Sequence, residues 1–369
     1  MKAVKWSALH EKRERDLIAF LLSPLSFLYG LAITLRLLAY KRGLLKTKSL
    51  PAFVVSIGNI TAGGTGKTPF VAMIAKWAVT NGFRTAILSR GYKGKKSGEA
   101  LVVSDGHTIL ATVDEAGDEP ILLAKKLSSI PVLVSKNRYR IGDLALRLFN
   151  SDLLLLDDGY QHLSLHRDLN ILLLDSKRRF GNRSLLPLGP LREPLEQITR
   201  ADLIVISRCT KMHPGDEIAD LLRKHFPGKL IFQSSHLPDQ VIFPFVGKTY
   251  PPAILSGKNV VAFAGLANPD DFLEMVLGLG AHVTHFSAFS DHHSFSKKEI
   301  DEFLSWNAKP DVDFLLTTEK DLVRINGMID DKLNLAVLTI KIGLFSESNT
   351  FFNIIKNGVL RSTKKDVIG

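Results

Sequence analysis

One stretch constrains this chain more than any other: AFVVSI at 52–57 runs into the glycine-rich SIGNITAGGTGKTP at 56–69, and helix-forming residues follow over 69–81. A buried strand that breaks at glycines and reopens as a helix aims backbone N–H groups and the positive helix end at one point, a setting for phosphate oxygens. Thr61, Ala62, Gly63, Gly64, Thr65, Gly66, Lys67 and Thr68 would form the cradle. The Lys67 ammonium would reach the β- and γ-phosphates of a nucleotide as a catalytic charge, and the Thr68 hydroxyl would ligate Mg²⁺. The strict pattern has glycine where this chain has Thr61; the other glycines compensate. A merely flexible turn with an exposed lysine would not need a strand before it and a helix after it.

Such a loop works with a second metal contact at a neighbouring strand end. DLLLLDDG supplies Asp157 and Asp158 after four aliphatic residues, and both are candidate Mg²⁺ groups, with a strand-capping turn as the alternative. NILLLDS at 170–176, with Asp175, is the competing strand end. TTEKD at 317–321 resembles a guanine-specificity motif, but Glu319 stands where lysine is needed, so ATP is the expected nucleotide.

Beyond the loop, short aliphatic runs at 85–89, 132–135, 152–157, 170–175, 202–207, 229–233, 259–265, 282–286 and 313–318 alternate with helical stretches such as 119–127 and 139–149. Runs apolar on both faces mark buried parallel strands, so the rhythm predicts an α/β fold with a mostly parallel P-loop-type sheet. Residues 234–258 carry Pro238, Pro244, Pro251 and Pro252 and interrupt the rhythm. The expected division is a hydrophobic helix in 1–42, a P-loop domain over 43–235, a linker over 236–258 that could form an antiparallel ribbon, and a second, smaller α/β domain over 259–369.

Residues 17–35 are uncharged and, as a helix, would extend roughly 28 Å, about one hydrocarbon core. Lys12, Arg13 and Arg15 precede them; Arg36, Lys41 and Arg42 follow. A transmembrane span, a helix lying in the membrane interface and a helix packed on the protein's own core all remain open; a cleaved signal lacks its small-residue site. The net charge of +11 gathers in this region, since no acidic residue occurs between Asp16 and Glu99. That placement suits an anionic membrane face and phosphates better than a nucleic-acid groove, and no nucleic-acid or obligate protein partner is inferred. The single cysteine, Cys209, allows neither an internal disulfide nor a cysteine metal cluster, and reads as packing.

Taken in order, SIGNITAGGTGKTP, SRGYKG (89–94), EAGDEP (115–120), NRY (137–139), DDGYQHLSLHRDLNILLLD (157–175), LLPLGPLREP (185–194), AFAGLANPDDF (262–272), FSDHHSFS (289–296) and TTEKDLVR (317–324) resemble the tetraacyldisaccharide 4′-kinase family. The resemblance implies an enzyme at the cytoplasmic face of the inner membrane of a Gram-negative bacterium. It would move the ATP γ-phosphate to the 4′-hydroxyl of an acylated glucosamine disaccharide 1-phosphate, giving lipid IVA. A kinase needs an acceptor for the hydroxyl proton, and the chain offers many aspartates. The family pattern points to Asp118, with His292 as its partner in an Asp–His dyad that would form when the two lobes close.

Other polar residues carry open readings. Arg192 and Glu193 could hold substrate phosphate or sugar hydroxyls, or pair within a loop. Gln161 and His162 would line the cleft beside the Asp pair, and Arg90 and Arg138 could clamp phosphates or be solvated surface. Tyr92 could stack on a sugar; His166, Arg167 and Asp168 read as turn formers. The rival functions are another membrane-associated P-loop NTPase, such as a GTPase or metal-insertion ATPase, and a nucleotide sensor without catalysis.

Overall fold

The fold comes from a computed structural model, which describes residues 17–325, 327–329, 333–345 and 347–368. Lys12, Arg13 and Arg15, the leading basic flank of the hydrophobic segment, lie outside the described residues. The strands are β1 Phe53–Gly58, β2 Thr85–Ser89, β3 Leu101–Ser104, β4 Val132–Val134, β5 Leu153–Asp157, β6 Leu169–Asp175, β7 Leu203–Ser207, β8 Leu230–Phe243, β9 Lys248–Tyr250, β10 Asn259–Gly265, β11 His282–Phe289, β12 Phe314–Thr318 and β13 Leu335–Leu344. The helices are α1 Leu17–Lys41, α2 Lys67–Thr80, α3 Val113–Ala116, α4 Asp118–Lys126, α5 Arg138–Phe149, α6 Asp216–His225, α7 Pro269–Gly278, α8 Lys297–Asn307, α9 Glu319–Ile325 and α10 Ser348–Ile368.

The strands join in one mixed sheet in the order β11-β10-β12-β13-β8-β7-β6-β1-β5-β2-β4-β3, with β9 paired to β8. Most neighbours are parallel; β13–β8, β3–β4 and β8–β9 are antiparallel. β1, β5 and β7 are buried along their whole length, as aliphatic runs covered by helices on both faces must be. β1 is central, flanked by β5 and β6 in parallel register, with Ile57 opposite Asp157. Loops leaving these strands therefore emerge together at their C-terminal ends, where open α/β sheets bind ligands.

Two features bear on how the chain divides. β8 pairs in parallel with β7 through Leu230–Gln233 and antiparallel with β13 through Ser234–Ile242, so one strand serves both halves of the sheet. It runs straight across residue 236, where proline content and broken rhythm suggest a linker. The ribbon is there as well: Val241–Phe243 pair with Lys248–Tyr250. α10 crosses back to the first half. Phe351 lies edge-on to Phe70 of α2 at 5.8 Å, Phe352 stacks on Trp77 at 4.7 Å, and Gly358 sits over the Phe53 ring. The helix beneath the glycine loop is thus buttressed by the C-terminus of the chain.

Candidate active site

The loop after β1 is strapped at several points. Ala62 N–H donates to the Pro190 carbonyl at 2.6 Å, Arg192 N–H to the Ile60 carbonyl at 2.7 Å, and the Ser207 hydroxyl to the Thr65 carbonyl at 2.9 Å. Gly66 caps α2 with φ 81°, and a Cβ there would lie 2.4 Å from His236 Nε2, so both backbone and space demand glycine. Lys67, the first residue of α2, holds its ammonium 3.3 Å from Asn59 Oδ1 and 3.6 Å from Asp158 Oδ1. Thr68 follows it, half-exposed. A small cleft of about 50 Å³ runs along Thr61–Thr65, bounded by Asp175, Arg178 and Arg179.

Asp157 and Asp158 stand at the end of β5 in opposite electrostatic states. Asp157 is buried and its Oδ1 makes no hydrogen bond with the described residues. Burial, reinforced by the charges of Glu119 and Asp158, raises its pKa above the usual carboxylate range. Asp158 turns away at φ 52° toward Lys67 and Arg192, whose Nη1 donates to both carboxylate oxygens at 2.9 Å. Burial opposes ionisation there too, but Lys67 and Arg192 outweigh it and hold the pKa well down. The competing strand end is a turn cap: Asp175 Oδ1 accepts the N–H groups of Lys177 and Arg178, and its Oδ2 pairs with Arg208.

Asp118 opens α4. Gly117 before it has φ 91° and lies so close to the Tyr92 carbonyl that a Cβ would come within 2.4 Å, which fixes where the helix starts. Asp118 Oδ2 faces His292 Nδ1 at 2.9 Å, with α4 and the loop after β11 in contact across the two halves. The same oxygen accepts Arg324 Nε at 2.8 Å and Nη2 at 2.7 Å. Burial raises the Asp118 pKa, but the His292 hydrogen bond and the charges of Lys320 and Arg324 reverse this and hold it well below the carboxylate range. Lys320 bridges Glu119 and Asp291, each at 3.1 Å. Glu119 thereby links this cluster to Asp157, whose pKa it raises.

Several candidates from the sequence sit differently from expectation. Arg138 is only 2 % exposed, with its guanidinium on the carbonyls of Ser135 at 2.8 Å and Asp157 at 3.3 Å. It braces the backbone behind the Asp pair and cannot clamp a phosphate from solution. Glu193 is fully buried against Arg200, so it is a structural ion pair and not a contact for sugar hydroxyls. His162 hydrogen-bonds Ser164 at 3.0 Å, and burial beside Arg138 and Arg167 pushes its pKa down to about 3, so it is neutral. Gln161 donates its amide to the Asn59 carbonyl at 2.8 Å under the glycine loop. Arg90 is exposed and has no ion-pair partner among the described residues. Arg192 joins the Lys67–Asp158 cluster directly.

The sequence reading did not single out Arg324, Lys320, His236 or Arg208. It also missed that α1 is tied to the site: Ser26 Oγ donates to the Leu185 carbonyl, Tyr29 Oη to the Arg192 carbonyl and Arg36 Nη2 to the Gln161 carbonyl, each at 2.9 Å. Only TTEKDLVR carried any signal for Arg324, as one of the family-like segments.

Comparison with known proteins agrees with this geometry. The family model described as tetraacyldisaccharide-1-P 4′-kinase matches residues 18–359. A tetraacyldisaccharide 4′-kinase of Pelobacter propionicus is 40% identical over 330 residues, 88% of this chain and 90% of that protein. One from Geobacter sulfurreducens is 42% identical over 300 residues, 81% of this chain and 82% of that protein. Among solved structures, LpxK from Aquifex aeolicus, crystallised in complex with ATP, superposes with a TM-score of 0.73 at 35% identity, covering 94% of this chain and 99% of that one. A glycine loop, an acidic strand end and a family match over nearly the whole chain converge, and the protein belongs to the tetraacyldisaccharide-1-P 4′-kinase family.

Proposed function

We propose that this protein transfers the γ-phosphate of ATP to the 4′-hydroxyl of an acylated glucosamine disaccharide 1-phosphate, giving lipid IVA, at the cytoplasmic face of a Gram-negative inner membrane. The observation that carries the reading is the meeting of Lys67 and Asp158 at 3.6 Å, where the loops after neighbouring parallel strands converge. Lys67 and the loop N–H groups would hold the transferring phosphate and stabilise the charge that builds on it. Asp118 would take the proton of the attacking hydroxyl as the new P–O bond forms and the bond to the β-phosphate oxygen breaks. His292, on the other oxygen of that carboxylate, would fix its orientation.

The residues present suit Mg²⁺. Asp157 Oδ1 is buried without a partner among the described residues, and burial with the charges of Glu119 and Asp158 raises its pKa, a setting in which a bound cation would favour the carboxylate; Thr68 offers a hydroxyl at the start of α2. Asp157 and Thr68 would hold the ion, with Asp158 beside them on Lys67 and Arg192. Bound there, Mg²⁺ would neutralise charge on the β- and γ-phosphates.

α1 supplies the lipid side. Its contacts at Ser26, Tyr29 and Arg36 keep one face on the protein over ten residues, about 15 Å of helix. The other face exposes Phe20, Leu21, Leu25, Phe27, Leu28, Leu31 and Leu35 to solvent. A helix tied down along one side and apolar along the other suits the interface plane better than a span. Arg192, whose carbonyl takes the Tyr29 hydroxyl, also pairs with Asp158, so a lipid acceptor lying along α1 would arrive beside the phosphate site.

Incubation with γ-labelled ATP and tetraacyldisaccharide 1-phosphate tests the reading: label is expected on the disaccharide, and label released only as inorganic phosphate would refute it. For the membrane face, replacing Phe20 and Phe27 by Glu is expected to weaken binding to anionic vesicles by at least about tenfold per residue, given about 1.5–3 kcal/mol for burying a Phe. Unchanged co-sedimentation would place the lipid contact elsewhere.

A further inference from the structure

Arg324 lies on α9, more than 200 residues from Asp118 in sequence, yet it is the group that grips Asp118 most tightly. Its Nε and Nη2 both donate to Asp118 Oδ2, at 2.8 and 2.7 Å, and His292 Nδ1 approaches the same oxygen at 2.9 Å. Oδ2 is therefore saturated. Among the described residues Oδ1 accepts only the N–H of Glu119, the next residue, at 3.0 Å, and keeps lone-pair capacity for another donor.

The grip is itself braced. Arg324 Nη1 donates to the Gly265 carbonyl at 2.5 Å and to Asp321 Oδ1 at 3.0 Å. Asp321 is fully buried, and its Oδ2 accepts the Gly265 N–H at 3.0 Å and the Thr318 hydroxyl at 2.7 Å. No side chain fits at position 265, where a Cβ would lie 2.8 Å from Asp321 Oδ1 and 3.0 Å from Arg324 Nη1. The Arg324 side chain is 6% exposed, so no solvated arginine is sampling a surface here. An inter-lobe ion pair serving stability alone would not need both fork nitrogens on the oxygen that also takes His292, nor would it leave the other oxygen with only the N–H of Glu119.

We propose that Arg324 is a positioning residue for phosphoryl transfer, holding Asp118 through Oδ2 so that Oδ1 is turned to the acceptor hydroxyl. The proposal rests on the reading of Asp118 as the proton acceptor. It gives the C-terminal half a positioning part: β10, β12 and α9 hold Arg324, and Arg324 holds the carboxylate that the P-loop half contributes.

The test uses the full-length protein with Mg-ATP and tetraacyldisaccharide 1-phosphate in mixed micelles. Arg324→Ala and Arg324→Lys are each expected to lose kcat by about 10²-fold, the scale of a misplaced reacting group, with both KM values within about threefold of wild type. Lysine keeps the charge but not the fork, so it is not expected to restore turnover. Methylguanidinium is expected to recover at least about tenfold of kcat in Arg324→Ala. A merely structural ion pair would lower the denaturation midpoint without this rescue. Retention of kcat within threefold, loss through KM alone, or a kcat loss that methylguanidinium leaves untouched would overturn the proposal. Asp118→Asn assayed alongside separates the two claims. If that variant turns over normally, the proton-acceptor reading falls; if it is inactive while the Arg324 variants keep kcat, only the role of Arg324 falls.

Discussion

Asp118→Asn is expected to lower kcat by about 10³-fold, within the range for losing a general base, while ATP binding holds within a few-fold. The substitution keeps volume and removes both charge and basicity. The nucleotide contacts should survive, because the groups around Lys67 come from other elements: Asn59 and Asp158 contact its ammonium, and neither touches Asp118. Stability should fall as well, since Arg324 loses the anion on its fork. Arg324 keeps Asp321 at 3.0 Å and Asp291 at 3.4 Å, so the loss should be about 1–3 kcal/mol, below that for orphaning an isolated buried charge. The pH dependence has a definite sign. The Asp118 carboxyl is held below its unfolded value, so its ion pair contributes fully above about pH 4 and is lost as pH falls through the folded pKa. The stability gap between wild type and variant should therefore narrow on acidification below about pH 4, read from urea midpoints at neutral and acid pH. Near-wild-type turnover in this variant would remove Asp118 from the mechanism.

Lys67→Ala should lose at least about 10²–10³-fold in kcat, the scale of removing one donor aimed at developing charge, and should also weaken ATP binding. Its fold should be nearly unaffected. Asp158 would keep both contacts to Arg192 at 2.9 Å, so no carboxylate is left unpaired by the deletion. Lys67→Arg should not recover the rate. The ammonium is a compact charge placed between Asn59 and Asp158, and a planar guanidinium cannot take the same position under a loop packed against His236 and Arg208. Label transfer and thermal melts of the same preparations distinguish lost chemistry from lost fold. Full activity in Lys67→Ala would contradict the site.

Several parts of this site were legible because the physics there is local. A strand, a glycine turn and a helix aim successive N–H groups at one point whatever the rest of the chain does, so residues 56–69 announced an anion cradle. Four aliphatic residues before Asp157 marked a buried strand that ends in acid, and βαβ rhythm forced a largely parallel sheet. The hydrophobic segment at 17–35 was equally plain as a helix, though not which of its faces meets protein. That depended on three carbonyls, from Leu185, Arg192 and Gln161, which only the folded chain brings to it.

A charged side chain declares itself in sequence, but its task is set by what lies within hydrogen-bond reach, and here the partners come from far along the chain. Arg138 and Glu193 looked available for substrate and are buried, on backbone carbonyls and on Arg200 respectively; Arg324 went unremarked and clasps the Asp118 carboxylate. Proline content at 234–258 suggested a break between domains, whereas hydrogen bonding through β8 makes one sheet of both halves. The amino-acid order thus determined the glycine loop and the layered α/β plan, since both arise from neighbours in the chain. Sheet order decided which charges meet, because an ionic contact depends on separation in space and not on separation along the chain.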